Sequence, residues 1–268
     1  MHAFHRTELL VGRDAWRRLQ GARMMVVGLG GVGSYAAEGL ARAGVGHLAL
    51  VDFDDVCITN LNRQLHATRR TVGASKAALM GERARAINPK AEVVVEPVFY
   101  DADTSERLLA PGYDVVVDAI DNVTAKIHLL ETCWRKGVRV VSAMGAGGRT
   151  DPSRIRVTDL ADTQKDPFAK IVRRALVDRG YTGGVEAVWT DEEPNELDAE
   201  VEAAFHCICP TKGNDFHNCD DRHVVQGSIP WVPAMFGMMA AGTAVNRLLG
   251  RPVLSADRAA APRQRRAS

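Results

Sequence analysis

Gly28, Gly30, Gly31 and Gly33 fall within GLGGVG, between the apolar run ARMMVV and the alanine-rich stretch SYAAEGLARAG. Residues without a Cβ at these intervals let a backbone turn sharply from strand to helix and press main-chain amides against a phosphate at the helix N-terminus. Asp52 ends the next apolar run, HLALV, at about the ~20-residue separation where an acid meets a ribose hydroxyl. Loop and acid together point to a nucleotide without saying which. A tight turn beside an exposed acid is the alternative that needs no ligand.

The residues after Asp52 narrow the choice. VDFDDVCITNLNRQ carries two asparagines and an arginine for which a nicotinamide nucleotide has little use. ATP brings a triphosphate whose charge exceeds what glycine amides neutralise, and displacing pyrophosphate calls for cations and a metal. Asn60 and Arg63 lie just beyond the strand's carboxyl end, and Lys76, opening a helix after GAS, is placed to reach phosphates. Asp54 projects to the same side as Asp52 if the strand continues, whereas Asp55 reads equally well as a solvated turn residue. VVVDAIDN brings Asp118, Asp121 and Asn122 to the end of a further strand, where one or two carboxylates plus phosphate oxygens would hold Mg²⁺. Asp121 is the metal candidate. Each assignment has a plainer alternative: Arg63 a surface cation, Lys76 a solvated first-turn residue, Asp121 or Asn122 a helix cap.

These groups act together only if a sheet delivers them to one edge. ARMMVVGLGG predicts strand and turn, and the helical spacing of Ala36, Ala37, Leu40 and Ala41 predicts a helix stopping at Gly44. HLALVDFD completes a βαβ unit with a right-handed crossover. AALMGERARAIN and VTAKIHLLETCWRKG read as helices, and EVVVEPV, YDVVVDAID and VRVVSAMGAGG as strands. The alternation predicts an α/β fold, a Rossmann-like, doubly wound, mostly parallel sheet with helices on both faces and ligands at the strands' carboxyl ends. DPFAKIVRRALVDRG adds a helix capped by Asp166, with Pro167 in its first turn and Gly180 at its stop. Residues 191–228 read as a polar surface crossover loop. WVPAMFGMMAAGTAVNRLLG reads as a core helix rather than a membrane span, because Gly and Pro interrupt it and Asn246 and Arg247 lie near its end. Residues 1–250 are expected to form a single domain, with 251–268 a disordered basic C-terminal extension.

The 268 residues, 46% hydrophobic, suit one large domain. Basic and acidic residues number 34 and 33, so contact with nucleic acid has to come from local patches rather than the overall field. The start, MHAFHRTELL, shows neither a secretory signal nor an anchor, which predicts a cytoplasmic enzyme. Five cysteines, an odd number, do not suggest a disulfide framework and are expected to be reduced.

GLGGVG, Asp52, NLNRQ, Lys76 and DAIDN, in this order, resemble the ubiquitin-activating-enzyme-like adenylating family, which includes the molybdopterin- and thiamine-pathway activators. The resemblance covers about residues 4–250. It implies ATP as the nucleotide, Asp52 as ribose ligand, Asn60, Arg63 and Lys76 as phosphate contacts, and Asp121 as the magnesium-binding acid. Arg6, in FHRTELL, matches an arginine that relatives lend to the partner subunit's ATP, which implies a homodimer. VDFDDVCITNLNRQLHA, INPKAEVVV, DAID and IRVTDLADTQKDPFAKIVRRAL look like the branch that dehydrates threonylcarbamoyladenosine beside the tRNA anticodon. The activity thereby implied is adenylation of the threonyl carboxylate, followed by ring closure through the neighbouring carbamoyl group. An intramolecular attack of that kind needs no enzyme nucleophile.

Cys207, Cys209 and Cys219, among His206, His217 and His223, raise the question of zinc. The CxC spacing with a lone third cysteine departs from C-x₂₋₄-C pairs, so a structural zinc is not favoured over a plain loop. Cys57 and Cys133 are expected only to pack. Candidates for tRNA contact are Arg69 with Arg70, Arg173 with Arg174, and Arg263, Arg265 and Arg266. Two other readings stand beside the leading one. An adenylating enzyme for the terminal carboxylate of a ubiquitin-like sulfur carrier would share the first half-reaction. A nicotinamide oxidoreductase or nucleotide-sensing module would need only the glycine loop and Asp52. A dedicated sulfur-transfer or electron-transfer partner is left open.

Overall fold

The computed structural model describes residues 2–203 and 227–251. Helices α1 (His5–Val11) and α2 (Arg13–Gly21) precede the first strand, β1 (Arg23–Val27). Then follow α3 (Gly33–Ala43), β2 (His47–Val51), a short 3₁₀ turn (Ile58–Asn60), α4 (Lys76–Ile87), β3 (Glu92–Glu96) and α5 (Ala102–Leu109). Next come β4 (Val115–Asp118), α6 (Val123–Lys136), β5 (Arg139–Ala143), β6 (Ile155–Asp159), α7 (Pro167–Val177), β7 (Val185–Thr190), α8 (Ala199–Ala203) and α9 (Trp231–Leu248). The strands form one sheet in the order β3-β2-β1-β4-β5-β7-β6. All neighbours are parallel except the edge pair β6 and β7.

The sheet is parallel because its strands are short, apolar on both faces and separated by helices, so each must be covered twice. On one face lie α2, α3, α4 and α9 around Met24, Val26, Leu40 and Phe236. On the other lie α5, α6 and α7 around Met25, Leu129, Leu130 and Leu176. The chain moves outward from β1 through β2 to β3, then crosses to β4 and β5. The reversal lies between β1 and β4, and their carboxyl ends open a crevice suited to a ligand.

Helix boundaries follow local chemistry. Asp166 caps α7 through the amides of Phe168 and Ala169, as its position before Pro167 predicts. Helix α9 is the core element expected, and among the described residues no helix is long and apolar enough to cross a membrane. Its Arg247 pairs with buried Glu186 of β7, which explains a cation near the end of an apolar run.

Helices α1, α2, α5 and α8 and strands β6 and β7 are not among the elements the sequence pattern predicts. Helix α5 starts at Asp101, whose carboxylate accepts the Thr104 amide while the Thr104 hydroxyl accepts the Asp101 amide, a reciprocal cap. Strands β6 and β7 form the antiparallel edge, where two strands in succession break the strand-helix rhythm. The stretch expected to be an irregular loop, 191–228, contains α8 within its described part.

Candidate active site

The glycine loop joins β1 to α3 at the strand-order reversal. Gly28 has φ 86°, a left-handed conformation, and its amide donates to Val51 O of β2 at 2.8 Å. A Cβ on Gly28 would lie 2.7 Å from the Ala119 carbonyl oxygen after β4, and one on Gly33 only 1.7 Å from Gly28 O. Neither position accepts a side chain without moving backbone. Gly31 faces Arg63: its Cβ would approach Arg63 Cγ at 3.3 Å and Pro233 Cβ at 3.1 Å. Two motifs far apart in sequence, GLGGVG and NLNRQ, therefore touch. Around Gly30 a Cβ would find only the Gln64 amide nitrogen, at 3.8 Å.

Asp52 is tied to this loop. Its Oδ2 accepts the Leu29 amide at 2.5 Å and its Oδ1 the Asp54 amide at 2.8 Å. Burial raises its pKa, and the nearby Lys76 ammonium opposes that rise. The strand ends at Val51, so Asp54 does not continue it and takes a different part from the one expected. The Asp54 main chain accepts the Lys76 amide at 3.0 Å, and its carboxylate accepts Lys76 Nζ at 2.8 Å. Lys76 is buried, not a solvated first-turn residue. Burial would lower its pKa, but Asp52, Asp54 and Asp121 outweigh that and raise it, so the ammonium stays charged.

Asn60 is buried and supports the backbone before the site: its side-chain oxygen accepts the Cys57 amide at 3.0 Å. The Cys57 sulfur caps the same 3₁₀ turn, a more specific part than packing. Arg63 Nη1 donates to Thr59 O and Asn62 Oδ1, each at 2.9 Å, which holds its stem across Gly31.

At the end of β4 the two capping candidates separate. Asn122 caps α6, accepting the Ala125 amide at 3.0 Å. Asp121 is exposed, not used as the cap, and close enough to add to the field at Lys76. Asp118 is directed elsewhere. Fully buried, it accepts Lys126 Nζ and Ser142 Oγ, each at 2.5 Å, and Lys126 donates onward to Ala143 O at 3.0 Å. This pair locks β4, α6 and β5 beneath the crevice. Only its i, i+8 spacing was visible in the chain, which is no contact signal by itself.

His66 and Gln64 are two further buried groups that the motif reading passed over. Both His66 ring nitrogens and Gln64 Oε1 are enclosed without a hydrogen-bond partner among the described residues. Burial, reinforced by Lys76, lowers the His66 pKa to about 4, so the ring is neutral. A polar pair set among apolar residues in RQLHA was the available signal. Arg6 stands exposed on α1, with no hydrogen bond or ion pair among the described residues. Arg173 turns inward onto the carbonyl and hydroxyl of Thr163, whereas Arg174 is exposed. Cys133 is buried and its thiol pushed up to about 12 by desolvation, consistent with packing alone. Cys207, Cys209, Cys219 and the arginines at 263, 265 and 266 lie outside the described residues.

The arrangement can hold a nucleotide triphosphate. The glycines leave the loop bare of side chains at the crevice, Asp52 is anchored to that loop, and the charged Lys76, Arg63 and the exposed Asp121 lie near it.

Three comparisons bear on this geometry. The model of the ThiF family matches residues 4–266. The chain is 40% identical over 249 residues to tRNA threonylcarbamoyladenosine dehydratase of Bacillus subtilis (strain 168), covering 93% of this chain and 95% of that protein. To the protein of the same name from Escherichia coli (strain K12) it is 47% identical over 173 residues, 65% of each chain. A crystal structure of the E. coli tRNA N6-threonylcarbamoyladenosine dehydratase in complex with ATP superposes with a TM-score of 0.78 at 38% identity, over 92% of this chain and 93% of that one. A glycine loop wedged against β4, an acid bonded to that loop and an arginine laid across it are thus found in a chain that belongs to the ThiF family.

Proposed function

We propose that this protein is an ATP-dependent tRNA threonylcarbamoyladenosine dehydratase acting in the cytoplasm. The observation that carries the reading is the meeting of GLGGVG, Asp52, Arg63 and Lys76 at the β1/β4 crevice, with Asp121 left free by the Asn122 cap. Dehydratases of the same nucleoside match nearly the whole chain, which supports the substrate assignment.

In this reading Asp52 binds the ribose, the glycine amides cradle phosphate, and Asn60 holds the turn from which Arg63 projects. Lys76, held charged by its three acidic neighbours, moves from Asp54 toward the phosphates once ATP supplies a stronger anion. The residues present fit Mg²⁺: Asp121 is a hard oxygen donor, exposed and uncommitted, and the metal would lessen the charge of the phosphates. The threonyl carboxylate displaces pyrophosphate to give a mixed anhydride with AMP. The carbamoyl group of the same nucleoside then attacks the activated carbonyl, AMP departs with a carboxylate oxygen and one proton is lost. Net, one water leaves the nucleoside.

Arg6 completes the phosphate site of the partner subunit in a homodimer. The exposed leucines that follow it on α1, Leu9 at 72% and Leu10 at 82%, are in keeping with a helix that another copy covers. The reaction steps need no enzyme thiolate. No further protein partner is required by them either.

The test uses purified protein, ATP, Mg²⁺ and threonylcarbamoylated tRNA, with mass analysis of the digested nucleosides. Loss of one water from the modified nucleoside, with AMP formed, supports the assignment. ATP-pyrophosphate exchange that appears only with a ubiquitin-like sulfur carrier would replace it with the carrier-activating reading. Binding of a nicotinamide nucleotide without ATP would remove both.

A further inference from the structure

A nucleoside within a tRNA reaches the crevice only with its phosphates running over the surrounding surface, so the lips of the crevice decide where the RNA lies. Helix α7 starts at one lip. Its cap, Asp166, lies against Gly145, two residues past β5, where a Cβ would be 3.5 Å from Asp166 Oδ1. Phe168, in its first turn, stands 5.7 Å from the Lys126 ammonium beneath the crevice. From there α7 runs away from the site along the outside of the molecule.

Lys165 immediately precedes the cap, and the outer face of α7 carries Lys170 and Arg174, all three exposed. None makes an ion pair among the described residues. Elsewhere exposed arginines are commonly neutralised: Arg154 and Arg156 by Asp191, Arg135 and Arg179 by Glu131, Arg107 by Glu96. The three cations at and before α7 are left with their charge available. Lys170 and Arg174 are one helical turn apart, about 6 Å along the axis and on one side.

Lys165 has a second distinguishing property. It is the one non-glycine residue with positive φ (60°) among the described residues, and the Asp166 amide donates to Gln164 O at 2.8 Å across it. A three-residue turn of this hand is strained for a side-chain-bearing residue, and such strain gathers at functional positions. The turn does two things at once: Asp166 points inward to cap α7, and Lys165 stays outside at the crevice mouth. The neighbouring Arg173 is spent on Thr163 and does not join the outer row.

We infer that the row Lys165, Lys170 and Arg174 binds the phosphate backbone of the substrate RNA and fixes its path away from the crevice. The inference rests on the reading of the substrate as a tRNA. A polyanion is the occupant chosen because unpaired cations in file along a helix, beginning at a site for a nucleoside, complement a chain of phosphates.

The test compares two triple variants that remove the same charge. K165A/K170A/R174A strips the α7 row; R17A/K90A/R139A strips exposed cations near the strands' amino ends, at the opposite edge of the sheet. For each, tRNA affinity is measured against salt concentration, together with KM for threonylcarbamoylated tRNA, kcat and ATP binding. The α7 variant is expected to raise KM for tRNA about tenfold or more and to flatten the log-log salt slope by about 2 to 3, with ATP binding and kcat at saturating tRNA kept. The amino-edge variant should do neither. Equal behaviour of the two variants in a protein that turns over its tRNA overturns the α7 assignment and leaves the dehydratase reading standing. Loss of RNA binding in the α7 variant, in a protein that binds tRNA but does not dehydrate it, supports the row and overturns the dehydratase reading.

Discussion

Asp121 has the clearest individual consequence. It is exposed, it caps nothing among the described residues, and it contributes to the field at Lys76. If Asp121 holds magnesium as proposed, D121A should abolish turnover, a loss of about a hundredfold or more in kcat, because charge developing on the phosphates would then lose that support. Stability should stay within ~0.5 kcal/mol by denaturant unfolding, as for other exposed side chains. Retained activity would make Asp121 an ordinary surface acid. His66 makes an independent prediction. Its folded pKa is lowered to about 4 by burial, whereas an unfolded histidine titrates near 6.5. Above about pH 6.5 both states are neutral and the full stability is present. As pH falls below that value the unfolded chain takes the proton first, so stability declines until the folded ring titrates too, by at most about 3 kcal/mol. H66Q should flatten stability against pH between about 6.5 and 4; an unchanged profile would show that another group governs acid sensitivity.

At the scale of elements, the crevice depends on how closely backbones approach and on one buried ion pair. G33A would push a Cβ into Gly28 O and should lower stability by about 3 kcal/mol while eliminating ATP binding. G242A, on the outside of α9 with nothing within 4 Å of the new Cβ, should raise stability by about 0.5–1 kcal/mol instead. The contrast, read by urea unfolding, separates close approach from helix propensity. Asp118 and Lys126 join β4, α6 and β5. K126M leaves a buried carboxylate without its counter-ion and should cost about 3–5 kcal/mol, whereas D118L/K126M, with no lone charge, should recover part of that loss. If the double variant is no better than the single one, the pair is not the tie described. Strands β1 to β5 and helices α3, α4 and α6 could be read from the sequence because their apolar runs end at a glycine or acid and their helices have clear stops, whereas α1, α2 and α5 carry no such pattern. Which acid would pair and which would cap could not. Asp118 and Asp121 look alike in DAID, and only the packing of α6 onto β4 shows that one is buried on Lys126 and the other free.

Across the whole molecule, the parallel order of the strands gathers residues from far apart in the chain onto one edge. That general result was readable, since alternating strands and helices leave few other topologies and ligands favour the carboxyl ends. The contacts on that edge were not: the touch of Gly31 on Arg63, the bond from Asp54 to Lys76 and the enclosed His66 depend on folding of the loop after β2, whose sequence has no repeating pattern. The antiparallel β6–β7 edge was equally hidden, because it departs from the rhythm that made the rest predictable. The chemistry assigned to the assembled edge is activation of a carboxylate by its attack on the α-phosphate of ATP. A single-turnover reaction with heavy oxygen placed in the threonyl carboxylate of the modified tRNA follows that bond change. The label should appear in AMP, one atom per nucleoside cyclised. Cyclised nucleoside formed together with unlabelled AMP would contradict it.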